Sequence, residues 1–239
     1  MITLRKTGSV LKFTVLGVLL ACSLSAAPAR ADVTVTVDPG TIANGYMNVF
    51  EIPSHGGGFV FGTGWGIGDL VATYAGSDLT LSPNVIGDPN EFWYQCVGAA
   101  TPPNCGGPGA PGNKTMEANI YGEQNGGGPL TGTNVVFIGN VTSNTLAPSH
   151  SVIAFIKDFA PDFSSSVSST VVLPASGQFK LSLATINDAG RHVQYGFQMT
   201  GPDVWNTDVA PYGSVTVAPL DVAVPAQRTS WGSLKMLYR

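Results

Sequence analysis

Residues 134–159, NVVFIGNVTSNTLAPSHSVIAFIKDF, carry the clearest indication of the fold class. Two runs rich in β-branched and aromatic residues, 134–144 and 151–159, lie on either side of a short segment that contains Pro148. Such runs favour strands, whereas a segment that contains Ser and Pro favours a turn. The stretch therefore predicts two consecutive strands and no helix.

Runs of the same kind recur at short intervals along the chain, parted by Gly, Pro or Gly-Ser. Residues 33–37, VTVTV, alternate strictly with the period of a strand. The other candidate strands are 46–52, 57–62, 69–75, 78–82, 91–96, 115–121, 168–174, 177–185, 192–200 and 213–219. Roughly a dozen strands with turns between them predict one all-β domain over 32–219, an antiparallel, jelly-roll-like β-sandwich.

The composition agrees with this class. Charged residues are only 11% of the chain, while Gly contributes 30 residues and Pro 17. Long solvated helices need many charged residues on their exposed side, so this composition argues against them. The hydrophobic share of 44% argues equally against disorder.

Residues 1–31 predict a secretory signal peptide rather than part of the fold. Basic residues precede a short apolar run at 13–21, and the sequence ARA at 29–31 forms a small-x-small cleavage site. The sequence LLAC, which ends in Cys22, offers an alternative, because it resembles a bacterial lipobox. Both alternatives predict a protein outside the cytoplasm, either secreted or acylated at Cys22 on the cell surface.

The chain that follows such a signal is acidic, with 7 basic residues against 15 acidic ones. A surface of this charge repels nucleic acid and anionic lipid. We therefore expect no nucleic-acid partner. An acidic surface is compatible with the binding of neutral sugars and of divalent cations.

Cys96 and Cys105 are predicted to form a disulfide. An oxidising compartment favours pairing, and the sequence between them lacks the histidines or second Cys pair of a zinc site. A bond that closes so short a loop stabilises the fold by about 2–3 kcal/mol.

The second half of the chain resembles a known family. In order, VVFIGNVTSNTL, HSVIAFIKDFAPDF, GQFKLSL, HVQYGFQMTGP and GSVTV, within 134–218, are similar to the C-terminal portion of carbohydrate-binding-module jelly rolls of the galactose-binding-like superfamily. The resemblance implies a β-sandwich that binds a polysaccharide. Such modules often close with an acidic strand that helps to hold a structural calcium, whereas this chain has only Asp221 there.

Catalytic constellations are not evident. The three histidines stand alone in the sequence, and no nucleophile elbow or phosphate-binding motif occurs. We therefore expect a non-catalytic protein. The alternative is a glycoside hydrolase that uses two of the four glutamates, Glu51, Glu91, Glu117 and Glu123.

Aromatic residues near strand ends are the candidate ligand contacts, because sugar rings stack their C–H faces on flat aromatic rings. A core position is the alternative for each, since alternate residues of a strand face inwards. The predicted ligand-binding residues are Trp65, Trp93, Tyr94, Tyr121 and Trp205.

Acidic residues near predicted loops are candidate ligands for a structural calcium, which prefers six to eight oxygen atoms. They occur in GDPNE at 87–91 and KDFAPD at 157–162. The candidates are Asp88, Asp158 and Asp162. Asx-turns and solvated loop acids are the alternative.

A linker at 220–229 leads to a basic and aromatic tail at 230–239. The tail is similar to a short ending found on secreted proteins of some bacteria. We expect a sorting or anchoring machine to recognise it, and the alternative is a short helix packed on the domain. Its key residues are Trp231, Lys235, Tyr238 and Arg239.

Two functions of different class follow. The first is a secreted or cell-surface binding module whose partner is a polysaccharide. The second is a structural protein of the cell surface or extracellular matrix, without a small-molecule ligand.

Overall fold

The computed structural model describes residues 32–86, 92, 93, 95, 108–110 and 112–220. The signal peptide at 1–31, the tail at 230–239 and all but the first residue of the linker lie outside these residues, so the corresponding predictions stay predictions. Within the described part of the chain, no helix is long and apolar enough to cross a membrane.

Fourteen strands and two short 3-10 turns, Pro53–His55 and Ala210–Tyr212, make up the regular structure of the described residues. In chain order the strands are β1 (Asp32–Val35), β2 (Asn44–Glu51), β3 (Phe59–Trp65), β4 (Ala72–Ala75), β5 (Asp78–Leu81), β6 (Val85–Ile86), β7 (Lys114–Asn125), β8 (Asn134–Asn144), β9 (Ser151–Phe159), β10 (Ser166–Val172), β11 (Gly177–Ala184), β12 (His192–Pro202), β13 (Val204–Trp205) and β14 (Val215–Ala218).

The first sheet is built around β8. Along one side β8 pairs with β11 in antiparallel register. Along the other side it pairs first with β1 and then with β14, because each of these strands has only four residues. β5 and β4 continue the sheet beyond β14. β1 runs parallel to β8, which the prediction of a purely antiparallel sandwich did not include.

The second sheet has the order β10-β9-β12-β7-β2-β3, and all its neighbours are antiparallel. β12 lies at its centre and pairs with β7 over its full length. A separate parallel pair, β6 and β13, completes the structure.

The core lies between the two sheets and follows the alternation of each strand. In β12, Val193, Tyr195, Phe197 and Met199 are buried in the shared core cluster. Phe137 of β8 packs across the interface, with ring centroids 5.5 Å from Tyr195 and 5.3 Å from Phe197. The predicted all-β sandwich is therefore confirmed.

One predicted strand has a different form. The run at 91–96 was expected to be a strand, but Phe92 and Trp93 lie in a turn. Their rings pack against one another and against Phe61 of β3. Phe92 and Trp93 therefore pack in or against the core without forming part of a sheet.

Candidate functional site

The side of the second sheet that faces away from the core carries a concentration of polar and aromatic side chains. We call it the outer face. It arises because residues that alternate with the core positions of β2, β7, β9 and β12 all point to the same side. Its main members are Tyr46, Asn48, Glu117, Asn119, Tyr121, Glu123, Phe155, Lys157, Gln194 and Gln198.

Strand register aligns these residues in rows across the sheet. In one row Lys157 lies opposite Gln194, which lies opposite Glu123. In another row, four residues further along β12, Gln198 lies opposite Asn119, which lies opposite Tyr46. Side chains from distant parts of the sequence thus form one continuous surface.

Both glutamates of the outer face are held by amide groups on the neighbouring strand. Asn48 Nδ2 donates a hydrogen bond of 2.8 Å to Glu117 Oε1. Gln194 Nε2 donates one of 2.9 Å to Glu123 Oε1. These bonds fix the carboxylates and leave each with a second oxygen that can accept from a ligand hydroxyl.

Lys157 is held in the middle of the outer face. Its Nζ donates to Asn119 Oδ1 at 3.1 Å and to Gln198 Oε1 at 3.2 Å. It also lies 4.2 Å from the ring centroid of Phe155, which it helps to cover. Burial lowers the pKa of Lys157, and the negative charge of Glu117 opposes that shift.

A cleft of about 490 Å³ lies on this face. Four aromatic rings and three polar side chains line it, contributed by β2, β7, β9, β12 and the turn that follows β9. The lining residues are Tyr46, Asn48, Tyr121, Glu123, Phe159, Phe163 and Gln194. We call this the cleft.

Phe163 stands out among the lining residues because its ring is 53% exposed and its φ is 59°. Bulky residues rarely adopt a positive φ, and such strain often marks a functional position. The turn holds this conformation, since Phe163 N–H donates to the Ala160 carbonyl and the N–H of Ala160 donates to the Ser165 carbonyl. Asp162 Oδ1 accepts two further bonds from Ser164.

The imidazole ring of His192 packs against the ring of Phe163. The two rings are stacked, and the imidazole Nδ1 lies 2.6 Å from Asn125 Oδ1 and 3.9 Å from the carboxylate of Glu123. The other ring nitrogen, Nε2, lies 3.3 Å from the Pro161 carbonyl oxygen. His192 therefore links the turn to the strands that form the floor of the cleft.

Tyr121 offers its phenol to the cleft as a neutral group. Burial raises its pKa above the ordinary tyrosine value, and the nearby negative charge of Glu123 raises it further. At neutral pH the hydroxyl therefore keeps its proton and can both donate and accept a hydrogen bond.

A glycine keeps the floor of this face flat. Gly196 of β12 lies between Phe155 and Tyr121 in the strand register. A Cβ at this position would collide with the backbone of Ile120 and come within 2.7 Å of Tyr121 Cα. The absence of a side chain lets the neighbouring aromatic side chains occupy the space above the strand.

Glu117 and Glu123, the two glutamates of the outer face, are too far apart to act as a catalytic pair with each other. Glu117 and Glu123 are six residues apart on one strand, which corresponds to about 20 Å along β7. Glycoside hydrolases place their two carboxyl groups about 5–9.5 Å apart. Each glutamate is also bonded to an amide in its own row, so the side chains do not converge.

The predicted ligand-binding aromatic residues lie in different parts of the structure. Tyr121 lines the cleft, whereas Trp65 is 38% exposed and lines a separate cavity of about 440 Å³ beside Asp69. Trp93 and Trp205 are only 6% and 7% exposed and belong to the core cluster, which is the core position that the sequence offered as the alternative for each. Trp93 also lines the cavity of Trp65, and Trp205 lines another of about 410 Å³, so a ligand contact by either ring stays a prediction. Tyr94 lies outside the described residues.

Two of the calcium candidates, Asp158 and Asp162, lie in the described part of the chain, and both are bonded to protein groups. Asp158 is fully buried, and its oxygens accept from Arg191 Nε at 2.7 Å and from Ile186 N–H at 2.7 Å. Asp162 is exposed and bonded to Ser164, which matches the predicted alternative of a turn acid. No group of three or more His, Cys, Asp or Glu residues in the described part of the chain could hold a metal ion. Asp88, Cys96 and Cys105 lie outside that part.

Sequence reasoning missed most residues of the cleft. Tyr46 and Asn48 alternate with core residues in β2, and Gln194 does so in β12, so their outward direction was readable from the period of two. The sequence did not indicate that β2 and β12 lie close together in one sheet. Phe163 carried no signal, because its neighbours Asp162 and Ser164 are typical of an ordinary loop.

Comparison of the chain with protein-family models, with curated proteins and with solved structures finds no match in any of the three. The chemistry of the cleft is therefore the basis for inferring a function.

Proposed function

We propose that this protein is a non-catalytic binding module for a polysaccharide and that the cleft on the outer face is its binding site. The observation that carries the proposal is the lining of the cleft, which combines aromatic rings with amide and carboxylate groups. This combination suits a sugar chain, whose apolar C–H faces stack on aromatic rings while its hydroxyl groups bond to polar side chains.

Each part of the lining has a role in this proposal. Tyr46 and Phe163 are the most exposed rings and provide the stacking surfaces. Glu123 and Gln194 are already bonded to each other, which fixes their remaining donor and acceptor groups in position. A site with few mobile groups loses little conformational entropy when a ligand binds.

The cleft extends over four adjacent strands, from β9 through β12 and β7 to β2. Three strand spacings correspond to about 14 Å. A single sugar would fill only part of this length, so we propose that the ligand is a stretch of a longer chain. Affinity for oligosaccharides should therefore increase with their length.

Affinity electrophoresis in gels that contain soluble polysaccharides tests the proposal. We expect at least one polysaccharide to retard the wild-type protein. Tyr46→Ala and Tyr121→Ala should each weaken that retardation, because they remove rings from the cleft. Phe59→Ala is the matched control, since Phe59 is 63% exposed and lies on the edge strand β3 outside the cleft lining.

The proposal fails if no polysaccharide retards the wild type. It also fails if the Phe59 variant loses as much binding as the Tyr46 and Tyr121 variants. Thermal unfolding of all three variants separates loss of the site from loss of the fold.

A structural role at the cell surface or in a matrix is the second candidate function. Apolar side chains on the two edge strands of the second sheet favour it, with Phe59 on β3 and Val172 on β10 being 63% and 70% exposed. Self-association without glycan binding, measured by analytical ultracentrifugation, would support this role instead.

The location that we propose is outside the cytoplasm, and it rests on the predicted signal peptide at 1–31. Acylation at Cys22 is the alternative route to the surface. Recognition of the tail at 230–239 by a sorting or anchoring machine also remains a proposal. Fractionation of cells that express the full chain, with and without residues 229–239, tests both points.

A further inference from the structure

We propose that the cleft selects uncharged polysaccharides and rejects acidic ones. This inference rests on the proposed function and specifies the class of ligand. It follows from the negative charge that faces the cleft and from the hydrogen bonds that Lys157 and Arg191 already make within the protein.

Glu123 is the charged residue among those that line the cleft, and it is an acid. Its Oε1 is bonded to Gln194, so the carboxylate is fixed where a ligand would pass. A uronate or sulfate group in the ligand would meet this negative charge at short range. A hydroxyl group in the same place would instead donate a hydrogen bond to it.

Lys157 is not free to form a direct ion pair with a ligand. Its Nζ donates to Asn119 and Gln198 and lies over the Phe155 ring. To bind a ligand anion it would have to leave these partners. Its positive charge is also balanced by the nearby carboxylate of Glu117, which leaves the charge of Glu123 uncompensated in the cleft.

Arg191, which directly precedes β12, is also engaged in contacts within the protein. Arg191 is buried, and it donates from Nε to Asp158 Oδ1 and from a terminal nitrogen to the Asp158 carbonyl. Beyond the site, residues 32–220 contain fourteen acidic residues and four basic ones. The field of the whole domain therefore opposes the approach of a polyanion.

Affinity electrophoresis with matched probes tests this selection. The neutral probes are hydroxyethylcellulose, galactomannan and xyloglucan, and the acidic probes are carboxymethylcellulose, alginate and polygalacturonate. Any neutral polysaccharide that binds is also oxidised at C6, which replaces a CH₂OH group by a carboxylate on the same backbone. We expect the wild type to bind at least one neutral probe and to bind its oxidised form at least about tenfold more weakly.

Glu123→Gln keeps the shape of the side chain and its acceptor for Gln194 but removes the charge. This variant should bind the oxidised polysaccharide about three- to tenfold better than the wild type does. Asp32→Asn is the matched control, because Asp32 is an exposed acid on β1 of the other sheet. It should leave the selectivity unchanged.

Equal or tighter binding of the oxidised form by the wild type would overturn the inference. If acidic probes bind and Tyr121→Ala abolishes that binding, the proposed function stands and the selectivity does not. If no probe binds, both proposals fall together.

Discussion

The rings of Phe163 and His192 are stacked, with their centroids 4.3 Å apart and 20° between their planes. This contact joins the turn after β9 to the first residue of β12. It holds an exposed aromatic ring in place at one end of the cleft, although the backbone of Phe163 has a positive φ. A strained and exposed aromatic residue contributes little to the core, which favours a role in ligand contact.

Removal of the Phe163 ring should weaken polysaccharide binding without unfolding the protein. We expect Phe163→Gly to bind about 1–2 kcal/mol more weakly, because a stacking surface is lost. Glycine adopts the positive φ without strain, so thermal stability should stay the same or rise. Isothermal titration calorimetry with an oligosaccharide that the wild type binds measures the affinity, and a thermal melt measures the stability. Unchanged affinity would contradict a role for this ring.

Substitution of Gly196 should destabilise the second sheet. The added Cβ of Gly196→Ala would collide with the backbone of Ile120, so the β12–β7 pair would have to separate locally. We expect a loss of about 1–3 kcal/mol in the free energy of unfolding, measured with urea. Gly58→Ala is the control, since a Cβ there meets nothing within 4 Å. Equal effects of the two substitutions would refute the steric explanation.

The Asp158–Arg191 pair should be essential for stability. Asp158 is fully buried, and its carboxylate lies 2.7 Å from Arg191 Nε. Asp158→Asn would leave the guanidinium buried without its counter-charge, and we expect a loss of about 3–5 kcal/mol. Lys180→Met, which removes an exposed cation, should change stability by less than about 0.5 kcal/mol. Urea titrations of the two variants check this contrast.

His150 should make the protein less stable in mild acid. Burial lowers the pKa of His150, although its hydrogen bond to the Pro202 carbonyl opposes the shift. The unfolded chain therefore takes up a proton more readily than the folded chain. The stability contributed by this residue is complete above the unfolded value of about 6.5 and decreases as the pH falls towards the lower folded value.

His150→Gln is the variant that tests this linkage. Glutamine has an amide donor for the Pro202 carbonyl but does not titrate. The free energy of unfolding, measured between about pH 5 and 8, should vary less with pH in this variant than in the wild type. Identical pH profiles would show that His150 is not responsible.

The predicted disulfide between Cys96 and Cys105 is tested by chemistry in solution. Peptide mapping without reduction should recover the two cysteines in one linked peptide, provided that the protein comes from an oxidising compartment. Reduction should lower the free energy of unfolding by about 2–3 kcal/mol. Two free thiols in the exported protein would refute the pairing.

The class of fold could be predicted from the sequence because its signals are local. The stretch 134–159 contains two strands and a turn, and the structure has β8 at Asn134–Asn144 and β9 at Ser151–Phe159. Alternation of side chains and the positions of Gly and Pro act within a few residues. They therefore indicate where most strands lie, although the run at 91–96 is not a strand at Phe92 and Trp93.

The site depends on pairing between distant strands, which no local pattern specifies. Tyr46 and Gln194 reach the same cleft only because β2, β7 and β12 are neighbours in one sheet. For Trp93 and Trp205 the sequence left a ligand contact and a core position open, and core packing buries them both. Local patterns in the sequence were enough to predict the all-β class and most of its strands, because strand propensity acts over a few residues. Tertiary structure decided which side chains meet, because register and the choice of neighbours are set by long-range packing.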